Sequence, residues 1–479
     1  MALAFWLGLP AAWAHSLVTR WAAEVGATDV LPDYPRPQLV RERWQNLNGW
    51  WDYALVPQGQ STPGPMTNQI RVPFPLESSL SGAGRPLDEH TTLWYRRRFT
   101  LPPDWQGQTI LLHFGAVDWA TKVFVNGRPL GGHHGGYDAF SLDITAGLKG
   151  AGENELLVAV TDPPEGDQPR GKHSRKPEGA FYSPSSGIWQ TVWLEPLPAR
   201  HITGLNLVPD LASAALRASV SVNTPAAEAQ VEVVATFAGR EVGRATAVPG
   251  AELKVPLREV HPWSPADPAL YDLAITLRQG SEVLERVRSY FGLRELRLGR
   301  DEAGYNRLWL NGQALFQMGV LDQGYWPDGL YTAPTDEALR FDLQTAKRLG
   351  FNLVRKHVKI EAERWYYWAD RLGMLVWQDM PSGNNTSEAA RRQFEMELHR
   401  VVEQKANHPC IVMWVLFNEG WGQFETERLV RRLKVADPAR LIDSASGWTD
   451  LKVGDVIDLH SYPDPMAPAA ELSRAGVLG

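Results

Sequence analysis

Hydrophobic and polar positions change rhythm twice along this chain. From about Pro32 to Pro198, short alternating or apolar runs recur at Trp50–Leu55, Leu93–Thr100, Thr109–Phe114, Lys122–Val125, Glu155–Val160 and Gln190–Leu194. Turn signals separate them, among them Asn126-Gly127, Gly131-Gly132 and Gly135-Gly136, and no helical period competes. Short, evenly spaced strands with Gly-rich turns predict a two-sheet sandwich of jelly-roll type. Asn126-Gly127 between Val123-Phe124-Val125 and Leu130 predicts a tight hairpin. A second all-β stretch runs from about His201 to Tyr290, with strands at Leu216–Val222, Gln230–Phe237, Glu252–Leu257, Tyr271–Leu277 and Val283–Tyr290. Its size, roughly one hundred residues, suits an immunoglobulin-like sandwich.

After Gly292 the pattern becomes strand then helix, repeated. Leu315–Val320, Phe351–Arg355, Met374–Gln378, Ile411–Phe417, Leu441–Ser444 and Val456–Tyr462 read as strands. Pro334–Leu349, Glu361–Leu372, Glu388–Ala406 and Phe424–Val435 read as helices, with Thr335 as an N-cap and Gly350 and Gly373 as stops. Such alternation is the signature of a parallel sheet, and an eightfold barrel is its natural closure. Gly476-Val477-Leu478-Gly479 begins a seventh strand, so the barrel is expected to be incomplete in this chain. The plan is therefore an N-terminal segment (1–31), a jelly-roll sandwich (32–198), an immunoglobulin-like sandwich (199–291) and a truncated (β/α)8 TIM barrel (292–479).

Composition narrows the function classes. A net charge of -7 over 479 residues gives no basic footprint for nucleic acid and no polybasic face for membranes. Twenty tryptophans lean towards carbohydrate, because indole faces stack on sugar rings, although many must simply be core. The single cysteine, Cys410, rules out an intrachain disulfide and reads as a small core residue. At the N-terminus, Leu3–Leu9 is apolar and Ala12-Trp13-Ala14 resembles a small-x-small cleavage site, with no basic residue before it. A signal peptide with a lost or misplaced start would make the protein periplasmic or secreted. The other reading is an apolar segment on the first domain of a cytoplasmic protein.

Candidate chemistry gathers at strand ends. Asn407–Gln423 reads NHPCIVMWVLFNEGWGQ, an apolar run that ends abruptly in Asn418 and Glu419. A carboxylate at the C-terminal tip of a buried parallel strand lies where an α/β barrel places its chemistry. Arg355 and His357 end the second strand, Gln378 and Asp379 the third, and Asp458, His460 and Tyr462 lie along or just past the sixth. Each has a bland alternative: a salt bridge for Arg355, a helix cap for Asp379, a satisfied histidine for His460. Four strands ending in polar groups after apolar runs favour one shared mouth.

Two segments carry a family resemblance. One is Asn352-Leu353-Val354-Arg355-Lys356-His357 with Trp365, Tyr366, Asp370 and Gly373–Trp377. The other is Asn407-His408-Pro409 through Trp414 to Asn418-Glu419. Upstream, Trp94-Tyr95-Arg96-Arg97, Val123–Gly127 and Gly187-Ile188-Trp189-Gln190 agree. The chain resembles glycoside hydrolase family 2, the β-galactosidases, β-glucuronidases and β-mannosidases, over essentially its whole length. His357-Val358-Lys359 departs from the His-Tyr-Pro common in the β-galactosidase form.

The resemblance implies a retaining, exo-acting β-glycosidase of the galactoside or glucuronide class. Glu419 would be the acid/base, its pKa raised by a dry aromatic pocket and a second carboxylate, and Asn418 would bind the sugar 2-hydroxyl. Arg355, His357, Trp414, His460, Asp379 and Tyr462 would shape the sugar subsite. The family's nucleophile is a glutamate ending the seventh strand, the residue after Gly479, so this chain by itself is expected to turn over glycosides negligibly; Glu425, Glu427 and Glu471 are not substitutes. No cofactor is required, and the family allows Mg²⁺ or Na⁺ near the site. The partner is a glycoside or oligosaccharide, with no nucleic acid or membrane, and a homo-oligomer is allowed. Lys356 and Lys359 are candidates for greeting an acidic sugar, against solvated or ion-paired roles. The rival class is a non-catalytic carbohydrate-binding protein or pseudoenzyme of the same architecture. A metal hydrolase is disfavoured because His357, His408 and His460 are scattered.

Overall fold

A computed structural model describes residues 17–462, without 27, 151 and 225–227. The N-terminal cleavage-like site, Glu471 and the segment Gly476–Gly479 lie outside the described residues.

The first unit is a sandwich of two antiparallel sheets. One has six strands in the order Asn68–Val72, Gly49–Pro57, Thr91–Phe99, Asn154–Thr161, Ala120–Val125 and Arg128–His134. The other has four, Gln45–Asn46, Val192–Leu197, Thr109–Phe114 and Phe140–Asp143. Alternate residues such as Trp51, Tyr95, Leu112, Val123 and Val158 meet between them in one core, as the period of two requires. The hairpin expected at Asn126-Gly127 is present: Val125 pairs with Arg128, and both loop residues have positive φ, 51° and 80°.

The second unit has three strands against four, Ile202–Asp210, Ala215–Val222 and Glu252–Pro256 facing Arg240–Ala247, Ala229–Phe237, Tyr271–Gln279 and Glu282–Phe291. It packs without a disulfide around Val231, Val233, Tyr271 and Ile275. Arg41 rivets the two sandwiches. Its guanidinium reaches Glu195 at 2.7 Å and Glu285 at 2.8 Å, and donates to the Ile202 carbonyl. A small antiparallel sheet, Leu296–Arg300, Asn306–Leu310 and Gln313–Ala314, leads into the third unit.

The third unit is a parallel sheet of five strands in sequence order, Gly319–Asp322, Leu353–Lys356, Leu375–Asp379, Ile411–Val415 and Leu441–Asp443. Helices α1 (Asp336–Arg348), α2 (Glu363–Leu372), α3 (Glu388–Lys405) and α4 (Thr426–Ala436) connect the last four strands to their predecessors. Thr335 caps α1 by accepting from the Ala338 amide, and Gly373 ends α2 in the left-handed region. The first strand begins later than the sequence predicts, and Phe316 and Met318 before it are exposed. The strand expected at Val456–Tyr462 is not formed. Its apolar members Ile457 and Leu459 are exposed, while Asp458 and His460 turn inward to bond Ser446. Polar contacts, not a ladder, fix that segment.

Asn407 and His408 of the central motif hold the units together. The Asn407 amide pairs with the backbone of Leu205 and Leu207 in the second sandwich, at 2.9 Å each way. His408, fully buried, donates from Nδ1 to Asp370 at 2.6 Å and from Nε2 to Glu363 at 2.8 Å. Tyr290 of the sandwich donates to the same Asp370 oxygen at 2.7 Å. Burial alone lowers the His408 pKa, but the two carboxylates outweigh it and raise it to about 9 from 6.5. The raised value means that the stabilisation is fully present below about pH 6.5 and is lost as pH rises through about 9. Denaturant unfolding followed by tryptophan fluorescence is therefore expected to show stability falling by up to about 3 kcal/mol between those limits. In His408→Gln that slope should flatten; an equally steep slope would place the titration elsewhere. Cys410, next along, is buried and its thiol is pushed up by burial, an inert core position.

Candidate active site

The parity of the parallel strands decides which side chains share the mouth. Arg355 is in register with Trp377 on the neighbouring strand, and Asp379, two residues on, faces the same way. The Arg355 guanidinium forks onto Asp379 with contacts of 3.0 and 2.9 Å. Asp379 also accepts from His357 Nδ1 at 2.8 Å and from the Val358 amide at 3.3 Å. Burial pushes the Asp379 carboxyl up, but Arg355 and His357 prevail and hold it below its ordinary value. The guanidinium continues outward, donating to Asn418 Oδ1 at 3.0 Å and to His460 Nε2 at 3.1 Å.

Glu419 sits at the tip of the fourth strand. Asn418 bridges to Ser446, the Glu419 amide bonds the Ser446 carbonyl at 2.8 Å, and Glu419 adopts φ of 55°. A left-handed glutamate costs about 1 kcal/mol or more. Such strain collects where a side chain must be aimed. Here the carboxylate is turned to His460 Nδ1 and the Tyr462 hydroxyl, both donating to Oε1 at 2.7 Å. Because a guanidinium can only donate, His460 Nε2 must accept, and its proton lies on Nδ1, facing Glu419. The chain Asp379–Arg355–His460–Glu419 is thus continuous.

Glu419 does not show the raised pKa expected from the sequence. Burial raises it, but the His460 and Tyr462 hydrogen bonds, with the nearby charge of Lys172, bring it below the usual glutamate value. The aromatic neighbours do not enclose it. Trp414 is in register with Gln378 and Ile442, on the opposite face from Arg355, and its indole donates to Asp437 at 2.9 Å. The expectation that Trp414 shapes the sugar subsite is therefore corrected: it is buried in the helical layer. Phe417 stacks on Phe394 as core. Lys356 and Lys359 are also on the outer side, ion-paired with Asp322 and Glu361 and almost fully buried, so neither greets an acidic sugar. Glu425 and Glu427 pair with Arg428 and Arg431 on the surface of α4.

The structure adds members that sequence reasoning missed. Asp443, at the tip of the fifth strand, is pushed up to about 8 by burial first and then by Asp458. A polar end to the run Leu441-Ile442-Asp443 was its available signal. The loop 162–186, from the first sandwich, crosses to the barrel. The Arg170 and Gly171 amides donate to the Ser382 carbonyl at 3.0 Å each, and Asp167 accepts from the Thr386 and Ser387 amides ahead of α3. Phe181 packs edge-on to Trp421, just past Glu419, with ring centres 5.7 Å apart. Trp448 lies edge-on to His460 at 5.7 Å. Nothing periodic in the loop's sequence announced this role.

Among the described residues, no three His, Cys, Asp or Glu side chains converge as a metal-binding group. No described helix is long and apolar enough to cross a membrane. A cavity of about 680 Å³ lies between the three units, lined by Trp193, Asn206, Arg364 and His399 among others, and includes none of the residues around Glu419.

Comparison with known proteins agrees with this architecture. Three family models match in order: the sugar binding domain of glycosyl hydrolases family 2 over residues 63–194, glycosyl hydrolases family 2 over 200–294, and the family's TIM barrel domain over 305–472. The chain is 26% identical to a putative β-glucuronidase of Formosa agariphila, over 68% of this chain and 39% of that one. It is 29% identical to a β-galactosidase of Thermoanaerobacter pseudethanolicus, over 68% of this chain and 44% of that one. It thus spans less than half the length of these relatives. In three dimensions it matches the crystal structure of Ruminococcus gnavus β-glucuronidase with a TM-score of 0.72 at 20% identity, covering 86% of this chain and 74% of that one. Two β-sandwiches followed by a parallel barrel sheet, matched in the same order by all three models, show that this chain belongs to glycosyl hydrolases family 2.

Proposed function

We propose that this chain carries the acid/base of a retaining, exo-acting β-glycosidase that removes terminal β-linked sugars of the galactoside or glucuronide class. The observation that carries the reading is the aimed Glu419: a strained strand-tip glutamate whose carboxylate is held by His460 and Tyr462, beside an Asn418 fixed by Arg355.

Each held group has a task in a double displacement. Arg355 engages the Asn418 oxygen, so the amide NH₂ is the end offered to the sugar 2-hydroxyl. In the first half-reaction Glu419, protonated, gives its proton to the glycosidic oxygen while a second carboxylate attacks C1. The C1–O bond breaks, the aglycone leaves as the alcohol, and a glycosyl-enzyme forms. In the second, Glu419 takes a proton from water, whose oxygen attacks C1 and releases the enzyme carboxylate. The family resemblance puts that second carboxylate, about 5–5.5 Å away, on a strand beyond the described residues. Its negative charge is what lifts Glu419 into the protonated form, against the pull of His460 and Tyr462.

Retention is directly measurable. With the full-length gene product and an aryl β-glycoside, proton NMR of the first-formed sugar is expected to show the β-anomer before mutarotation. The α-anomer appearing first would overturn the double displacement.

A further inference from the structure

Ser446, Gly447 and Trp448 follow the fifth strand and close around one side chain, that of His460. Ser446 is a fully buried polar residue. Its main chain is locked to the segment that carries Glu419. The Ser446 amide donates to the Phe417 carbonyl at 2.9 Å, and the Ser446 carbonyl accepts the Glu419 amide at 2.8 Å. Its hydroxyl lies 2.8 Å from His460 Nε2 and is also hydrogen-bonded to the Asp458 carboxylate. Gly447, at φ of 94°, lies against the ring. A Cβ there would meet Nδ1, Cγ and Cε1 of His460 at 2.7, 2.8 and 3.0 Å, three near-equal distances that put it over the ring face rather than in its plane. Trp448 stands edge-on to the same ring.

These contacts hold the imidazole with Nδ1 towards Glu419 Oε1, at 2.7 Å. Ser446 fixes both ends of that hydrogen bond: the main chain of Glu419 through its carbonyl, and the far nitrogen of His460 through its hydroxyl. Arg355 also reaches Nε2, at 3.1 Å, but its guanidinium is forked onto Asp379 and shared with Asn418. Asp458 is 3.8 Å from Nε2, beyond hydrogen-bond distance, so it reaches the ring only through the Ser446 hydroxyl. Ser446 has no exposed surface with which to touch a sugar, and its influence runs through His460. That influence matters because a proton passes only along an aligned contact, and a displacement of about 1 Å can cost about 10²-fold in rate.

We propose that Ser446 is a positioning residue for the acid/base: through His460 it sets the direction of the Glu419 carboxyl, and so acts on proton transfer to the leaving group and not on sugar binding. This rests on the glycosidase reading. The full-length gene product and its Ser446→Ala variant are assayed on aryl β-glycosides of one sugar. The leaving groups run from dinitrophenolate, which departs unaided, to phenolate, which needs a proton. In Ser446→Ala, kcat/KM, which reports the steps up to the first bond cleavage, is expected to fall about tenfold or more on the phenyl glycoside and less than about twofold on the dinitrophenyl one. Affinity for the phenyl 1-thio-β-glycoside of the same sugar, which resists hydrolysis, should change by less than about twofold. Ser446→Cys keeps nearly the same volume with a weaker hydrogen-bonding group, and covers the case in which the alanine variant does not fold. It should show the same dependence on leaving group at smaller size. An equal loss on every leaving group, no loss on any, or a loss of thioglycoside affinity as large as the loss of rate would overturn the positioning role and leave the glycosidase reading intact. No hydrolysis by the unsubstituted protein would remove that reading and this inference with it.

Discussion

Replacing Glu419 by glutamine is expected to lower the turnover of aryl β-glycosides with poor leaving groups by about 10²–10⁴-fold, the usual contribution of a positioned acid or base. The two half-reactions should respond differently. Loss of the acid matters little for a dinitrophenolate, which departs without a proton. Loss of the base slows water attack on every glycosyl-enzyme. Azide needs no base, so added azide should restore turnover on good leaving groups and trap the sugar as a β-glycosyl azide. Glutamine still accepts from His460 and Tyr462, so the fold around the strand tip should persist. An unchanged rate in the full-length gene product, or a loss that azide does not touch, would sink the acid/base role.

The second large effect is structural. Arg355→Met is expected to destabilise the barrel by about 3–5 kcal/mol, because Asp379 is left charged and almost fully buried with only His357 and the Val358 amide as partners. Arg355→Met combined with Asp379→Asn should cost less than the sum of the two single changes, by about 1 kcal/mol or more. Additive losses would show that the pair is not coupled. The sign with pH follows from the direction of the Asp379 shift. A depressed carboxyl contributes above its unfolded value, near 3.8, and loses that contribution as pH falls through the folded value. The gap between wild type and Arg355→Met should therefore narrow in acid.

Much of this architecture was legible because local rules and the global fold agree. The Asn126-Gly127 hairpin, the Thr335 cap and the Gly373 stop each need only a few neighbouring residues. The polar strand tips were legible too, since Arg355, His357, Asp379, Asn418 and Glu419 interrupt apolar runs. Three things were not. Trp414 lies in a strand with both faces buried, where composition does not reveal which residues face the barrel axis and which the helices; only the register with Gln378 and Ile442 does. Lys356 and Lys359 look exposed in a list of residues, yet Asp322 and Glu361 bury them. Segment 456–462 alternates like a strand, but the alternation serves side-chain hydrogen bonds to Ser446 and Glu419. In all three cases long-range partners decide the outcome, and no window of sequence contains them.

The hold of loop 162–186 on Ser382, Thr386 and Ser387 joins two domains at one site. Glu419 and its partners lie in the barrel, while one edge of the site is laid down by the first sandwich. A chimaera that keeps the barrel but takes its sandwich from a relative would retain Glu419 with His460 and Tyr462, yet set a different rim beside them.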